Sequence, residues 1–125
     1  MSNEFSYVVW GCVLLLAAYG GLSNRLSAED LRVQLTAATP PLVIDVRSDL
    51  EYRYGHVPGA HHLPFWSVLW RWPEVSEGRA VVLYCEHGPR AVMARLLLLL
   101  RGVVRVQLLQ GHMHHWRAAR YPLET

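Results

Sequence analysis

The sequence contains no lysine, and its twelve basic residues are arginines dispersed along the chain. Without a basic cluster, and with a net charge of only +2, it lacks the electrostatic footprint of nucleic-acid binding, so no nucleic-acid partner is expected. Cysteine is also scarce, because Cys12 and Cys85 are the only two. They lie in segments that we do not expect to meet, so we predict no disulfide within a domain.

Charge is missing altogether from one N-terminal segment, residues 5–22, which is almost wholly apolar. A helix of that length spans about 27 Å, just enough for the hydrocarbon core of a bilayer. We predict a transmembrane helix there, within an N-terminal anchor of residues 1–24. A cleaved signal is one alternative, although the acidic Glu4 stands where a basic stretch is usual, and a buried helix of the following domain is another.

The residues that flank this segment predict its orientation. Glu4 precedes it, whereas Arg25 and Arg32 follow it, which favours a cytoplasmic C-terminal domain under the positive-inside rule. We therefore expect a single-pass protein of a bacterial-type inner membrane, with a periplasmic domain as the alternative. The remaining residues, 25–125, suffice for one compact domain.

Strands and helices are predicted to alternate over this domain. Continuous apolar runs at 42–46 and 80–84 are typical of strands buried on both faces of a parallel sheet. Other predicted strands lie at 103–109 and, as short segments, near 24–27 and 61–63; helices are predicted at 28–38, 48–54, 65–71 and 90–101, with a final turn at 116–120. This order indicates an α/β fold with a parallel sheet.

One of the buried runs ends in Cys85, and a helix is predicted to begin a few residues later. Backbone N–H groups converge at a helix N-terminus, where the macrodipole is positive, so this position favours a thiolate or a bound oxyanion. The thiolate is the nucleophilic form of cysteine. We therefore interpret Cys85 as a catalytic residue rather than as a buried, inert thiol.

Four separated motifs resemble those of the rhodanese family. They are Asp45-Val46-Arg47 with Glu51-Tyr52, Gly55-His56-Val57-Pro58-Gly59-Ala60, Tyr84-Cys85-Glu86-His87-Gly88-Pro89-Arg90, and Leu109-Gln110-Gly111 with Trp116. The resemblance covers residues 26–125 and implies a five-stranded parallel sheet flanked by helices. It also implies a sulfurtransferase whose Cys85 carries sulfane sulfur as a persulfide. The donor would be a small molecule such as thiosulfate or a persulfide, and the acceptor a thiol, cyanide or a protein thiol.

The loop that follows Cys85 supplies the predicted substrate-binding residues, which are Glu86, His87, Gly88, Pro89 and Arg90. Its amides can hold an oxyanion, and the forked Arg90 can either help in this or position the loop. Asp45 and Arg47 are predicted as supporting residues, and we favour a structural ion-pair network with Glu51 over contact with substrate. The loop from Cys85 to Arg90 has six residues. Its length argues against phosphatase activity, since phosphatases of similar fold use a loop one residue longer.

Glu86 departs from the pattern of relatives that prefer thiosulfate. Its carboxylate beside the nucleophile disfavours both a thiolate and a dianionic donor. His87 can offset this effect when protonated. A persulfide is therefore a credible natural donor, with thiosulfate as a convenient test donor.

No metal and no cofactor are expected. The histidines at positions 61, 62, 112, 114 and 115 are of a residue type that binds metals, but their spacing fits no standard zinc pattern. The alternative function is a non-catalytic rhodanese-fold module that binds or scaffolds a partner at the membrane. Such a module would leave Cys85 unmodified.

Overall fold

Five parallel strands form the centre of the structure, a computed structural model that describes residues 2–75 and 78–125. The strands are β1 (Arg25–Leu26), β2 (Leu42–Asp45), β3 (His61–His62), β4 (Val81–Tyr84) and β5 (Val106–Leu109). Their order in the sheet is β1-β5-β4-β2-β3. Asp45 at the end of β2 pairs with Tyr84 at the end of β4, so both strands deliver the residues that follow them to one edge of the sheet.

Helices occupy most of the connections between these strands. They are α1 (Ser2–Ser23), α2 (Ala28–Leu35), α3 (Asp49–Tyr54), α4 (Val68–Val75), α5 (Pro89–Leu100) and α6 (His112–Ala118), and a 3-10 turn (Phe65–Ser67) leads into α4. Ser27 caps α2 by accepting the N–H of Asp30. Ser48 and Glu51 form a reciprocal capping box at the start of α3, which explains why so short a helix begins there.

Two hydrophobic cores lie on opposite faces of the sheet. Successive side chains of a strand point to opposite faces, so Val82 and Tyr84 belong to one core and Leu83 to the other. Cys85 continues this alternation on the side of Leu83, where α4 and α5 pack. The opposite core contains α2 and α6. The predicted α/β fold with a five-stranded parallel sheet flanked by helices is thus confirmed.

The main error in the predicted elements lies after β5. After residue 109 the sequence predicted only a helical turn at 116–120, but α6 already begins at His112. Gly111 and His112 have φ values of +76° and +51°, which turn the chain sharply enough for a helix to follow the strand directly. The predicted strand 103–109 is also shorter, since β5 begins only at Val106.

The predicted transmembrane anchor is not supported. Residues 5–22 do belong to a helix, α1, but the side chains of residues 16–22 lie outside the described part of the chain. Within 2–75 and 78–125, no helix combines the length and the apolar character that crossing a membrane requires.

Candidate active site

Cys85 lies between the central strand β4 and the helix α5, and its side chain is fully buried. The N–H of Gly88 donates a hydrogen bond to the Cys85 Sγ at 2.9 Å. Gly88 has a φ of +133°, which a residue with a Cβ rarely adopts, and it caps α5 directly before Pro89. The loop therefore aims a backbone amide and a helix N-terminus at the sulfur, an arrangement that stabilises negative charge there.

The first turn of α6 forms hydrogen bonds with the backbone of the loop that follows Cys85. Met113 N–H donates to the carbonyl of Cys85 at 3.0 Å, and His114 N–H donates to the carbonyl of Glu86 at 3.1 Å. The N–H groups of a first helical turn have no partner within the helix, so they are free to bind the loop. In the opposite direction, Cys85 N–H donates to the Nδ1 of His112 at 3.2 Å. His112 was not among the predicted site residues.

His112 is held in its neutral form. Burial is the largest cause that lowers the pKa of His112, and the charges of Arg25 and His87 add to it, so that the value falls to about 4. Because Nδ1 accepts the hydrogen bond from Cys85, the ring proton belongs on Nε2. The ring therefore contributes geometry beside Cys85 rather than positive charge.

Glu86 does not present a bare carboxylate to the sulfur. Its two oxygens accept hydrogen bonds from the guanidinium of Arg117 at 2.6 to 3.0 Å. The NH1 of Arg47 lies 3.5 Å from one of the same oxygens. The unfavourable field that we expected from Glu86 is thus offset by two guanidinium groups.

Asp45 and Arg47 form the predicted structural pair. Arg47 donates to both carboxylate oxygens of Asp45 at 2.8 to 3.1 Å and to the carbonyl of Gly55 at 2.8 Å, and both charged side chains are buried. Burial disfavours the charge of Arg47 and lowers its pKa. The hydrogen bonds and the charge of Asp45 outweigh this effect, so that the pKa of Arg47 is raised. Burial, and next the charge of Asp45, raise the pKa of the Tyr84 hydroxyl, which accepts the N–H of Val57. This network braces the edge of the sheet beneath the loop.

Arg90 binds Glu51. Its NH1 and NH2 donate to the two carboxylate oxygens at 2.6 and 3.0 Å. These hydrogen bonds are the main reason that the pKa of Glu51 falls to about 2. Glu51 therefore pairs with Arg90 and not with Arg47, and Arg90 fastens the last residue of the loop to α3.

Among the described residues, Glu86, His87 and His114 offer ligand atoms within 4.8 Å of one another, which could contact a metal ion. The two imidazole rings are 4.9 Å apart at their centroids. However, Arg117 already binds both oxygens of Glu86, and its charge repels a cation. This arrangement gives little support for a metal site.

Fold and site together define an α/β domain with a cysteine loop at the carboxyl end of its central parallel strand. The family model of the rhodanese-like domain matches residues 27–119, and the chain belongs to this family.

Comparison with individual proteins gives the same assignment. The chain is 31% identical over 100 residues to a sulfurtransferase of Allochromatium vinosum, with 80% of this chain and 94% of that protein covered. The Alr3790 protein of Anabaena sp. superposes with a TM-score of 0.73 at 28% identity, over 79% of this chain and 81% of that one. A thiosulfate sulfurtransferase of Pseudomonas aeruginosa has a TM-score of 0.72 at 22% identity; 81% of this chain matches only 19% of that larger protein, which shows the shared fold.

Proposed function

We propose that this protein is a sulfurtransferase that carries sulfane sulfur on Cys85. The observation that supports the proposal most strongly is the hydrogen bond from Gly88 N–H to the Cys85 Sγ at the N-terminus of α5. An inert thiol at the end of a strand needs no such donor, whereas a thiolate or persulfide anion is stabilised by one. The sulfurtransferase of Allochromatium vinosum, which covers nearly the same length, adds to this support.

The reaction would be a double displacement. The Cys85 thiolate attacks the outer sulfur of the donor, the donor's sulfur–sulfur bond breaks, and sulfite or a thiolate leaves with the electron pair. The new terminal sulfur on Cys85 carries the negative charge, which the loop amides can hold. An acceptor thiolate or cyanide then attacks that terminal sulfur, and Cys85 leaves as a thiolate with the electron pair of the broken bond.

The charged residues around Cys85 serve mainly to hold the loop in place. Arg90 and Arg47 are each bound to a carboxylate, and Arg117 is bound to Glu86. A carboxylate already pairs with each of these three guanidinium groups and balances its charge. The site therefore attracts a dianion such as thiosulfate only weakly. We therefore favour a persulfide, either of low molecular weight or on a protein, as the natural donor.

A second candidate function is a non-catalytic binding module. The complete burial of Cys85 favours it, since a sulfur carrier must expose its terminal sulfur to donor and acceptor. In that case the loop would serve only to present a surface to a partner, and the thiol would stay unmodified.

Intact-mass analysis of the full chain distinguishes these candidates. The protein is incubated with thiosulfate or with glutathione persulfide, beside the variants Cys85→Ser and Cys12→Ser. We expect a gain of one sulfur atom that cyanide removes, that Cys12→Ser retains and that Cys85→Ser lacks. A gain only with the persulfide would identify the donor class, whereas no gain with either donor would favour the binding module.

A further inference from the structure

His112 has a positive φ, which is uncommon for a residue with a side chain. Among the described residues, only His112 and Arg120 combine a side chain with a positive φ, +51° and +58° respectively. Arg120 is exposed, whereas His112 is buried. A left-handed conformation costs energy for a residue with a Cβ and persists only where surrounding contacts hold it. The contacts of His112 therefore indicate what its side chain does.

Those contacts join the two residues that form the thiol site. On one side of the ring, Nδ1 accepts the N–H of Cys85 at 3.2 Å. On the other side, Nε2 lies only 3.2 Å from the point where a Cβ on Gly88 would stand. The imidazole thus lies against the backbone of both Cys85 and Gly88, whose N–H donates to Sγ.

We propose that His112 is a positioning residue for sulfur transfer, which fixes the Cys85 backbone and prevents Gly88 from moving away from the sulfur. This inference rests on the proposed function of Cys85. It requires a neutral ring, since a protonated Nδ1 cannot accept the N–H of Cys85. The ring acts on the sulfur through Cys85 and Gly88.

A purely structural role would not require histidine. Glycine adopts this φ without strain, and asparagine tolerates it better than most residues do. Only asparagine retains a side-chain acceptor that could replace Nδ1 for the N–H of Cys85. His112→Gly and His112→Asn therefore separate the backbone conformation from the hydrogen bond.

The test measures the rate at which iodoacetamide alkylates Cys85 in the full chain carrying Cys12→Ser, so that one thiol reports. This readout does not depend on sulfur transfer, and so a wrong assignment of the reaction would leave it intact. We expect His112→Gly to slow alkylation about tenfold, because a Gly88 amide that moves away no longer stabilises the thiolate, and the thiolate is the form that reacts. His112→Asn should recover most of the rate. Alkylation at the unsubstituted rate in folded His112→Gly, or no recovery in folded His112→Asn, would overturn the proposal.

Two controls keep the result interpretable if a variant is unstable. Arg120→Gly relieves the other positive φ at an exposed position and should leave the alkylation rate unchanged. Nitrogen NMR of the unsubstituted protein at pH 7 should show a neutral His112 with its proton on Nε2. A charged ring, or a proton on Nδ1, would contradict the hydrogen bond to Cys85 without any substitution at position 112.

Discussion

Arg90 and Glu51, which are 39 positions apart in the sequence, form a bidentate ion pair that joins the end of the cysteine loop to the first turn of α3. The same carboxylate closes the capping box with Ser48. One side chain thus both starts a helix and fixes a loop, so that the position of α3 and the conformation of the loop depend on each other.

We predict that Glu51→Gln lowers the free energy of unfolding by about 1–2 kcal/mol at pH 7, a value that allows for solvent screening of a pair about one-third exposed. Hydrogen bonding from Arg90 lowers the pKa of Glu51 from 4.5 to about 2, so the folded chain binds this proton less tightly than the unfolded chain. The stabilisation is therefore present above pH 4.5 and is lost as the pH falls toward 2.

Urea unfolding at pH 7 and at pH 2.5 checks this prediction, with Asp49→Asn as the matched control. Asp49 lies on the same helix and pairs with Arg53, but both side chains are well exposed. We expect the control to change the free energy of unfolding by less than about 0.5 kcal/mol. An equal effect of Glu51→Gln at both pH values would contradict the assigned pair.

We predict a larger loss for Asp45→Asn, of about 3 kcal/mol, because it leaves the buried guanidinium of Arg47 without its counter-charge. The double variant Asp45→Asn/Arg47→Met should be more stable than the single variant, since it removes the unpaired charge as well. Urea unfolding at pH 7 measures both. A double variant less stable than Asp45→Asn would show that Arg47 stabilises the fold mainly through Gly55 and Glu86.

The sheet and the cysteine loop could be predicted from sequence because the signals for both are local. The apolar runs 42–46 and 80–84 contain the observed strands β2 and β4, and Gly88-Pro89 marks the start of α5 within the loop itself. A strand that ends in a cysteine and leads into a helix needs no distant partner to be recognised.

The contacts that hold the loop could not be predicted in the same way. His112 and Cys85 are separated by 27 positions, and Arg117 and Glu86 by 31. Both contacts depend on α6, whose histidine-rich first turns have no clear apolar period. The buried Met113 and Trp116, spaced three apart, were the only helical signal in this stretch. Without that helix in place, Glu86 looked like an unpaired charge beside the nucleophile.

We predict that Gly88→Ala slows alkylation of Cys85 by about tenfold or more, because the new Cβ would lie 3.2 Å from His112 Nε2 and force away the Gly88 amide that stabilises the reactive thiolate. Gly59→Ala is the control, since Gly59 also has a positive φ, +79°, but nothing within 4 Å of an added Cβ. It should cost stability through backbone strain alone and leave alkylation unchanged. Equal alkylation rates in Gly88→Ala and Gly59→Ala would show that Gly88 does not control the reactivity of the Cys85 thiol.

Stability should also fall as the pH is lowered through a separate range. Burial, followed by the charges of Arg25 and His87, lowers the pKa of His112 from 6.5 to about 4. Between these values the unfolded chain binds a proton that the folded chain does not, so the free energy of unfolding decreases from pH 6.5 to pH 4, by about 3 kcal/mol at most. Urea unfolding across this range should show the decrease, and His112→Asn should reduce it. The same slope in His112→Asn would assign the protonation to another group.

Glu86 and Arg117 provide the test of donor preference. We predict that Glu86→Gln raises the rate of persulfide formation with thiosulfate about three- to tenfold, because it releases the charges of Arg117 and Arg47 toward a dianion. Arg117→Gln should have the opposite effect, since it leaves Glu86 less neutralised. Both effects should weaken as salt is added and should be smaller with a donor of lower charge at the reacting end.

Intact-mass kinetics of the two variants, with thiosulfate and with cysteamine persulfide, which has no net charge and releases cysteamine thiolate when its outer sulfur is transferred, measure the difference directly. If the carboxylate of Glu86 acts through its field, the ratio of the thiosulfate rate to the cysteamine persulfide rate rises in Glu86→Gln and falls in Arg117→Gln. If the ion pair acts only by anchoring α6 to the loop, both variants slow both donors by the same factor. The ratio therefore separates an electrostatic role from a mechanical one, because displacement of Cys85 affects every donor alike whereas charge affects each donor according to its own charge.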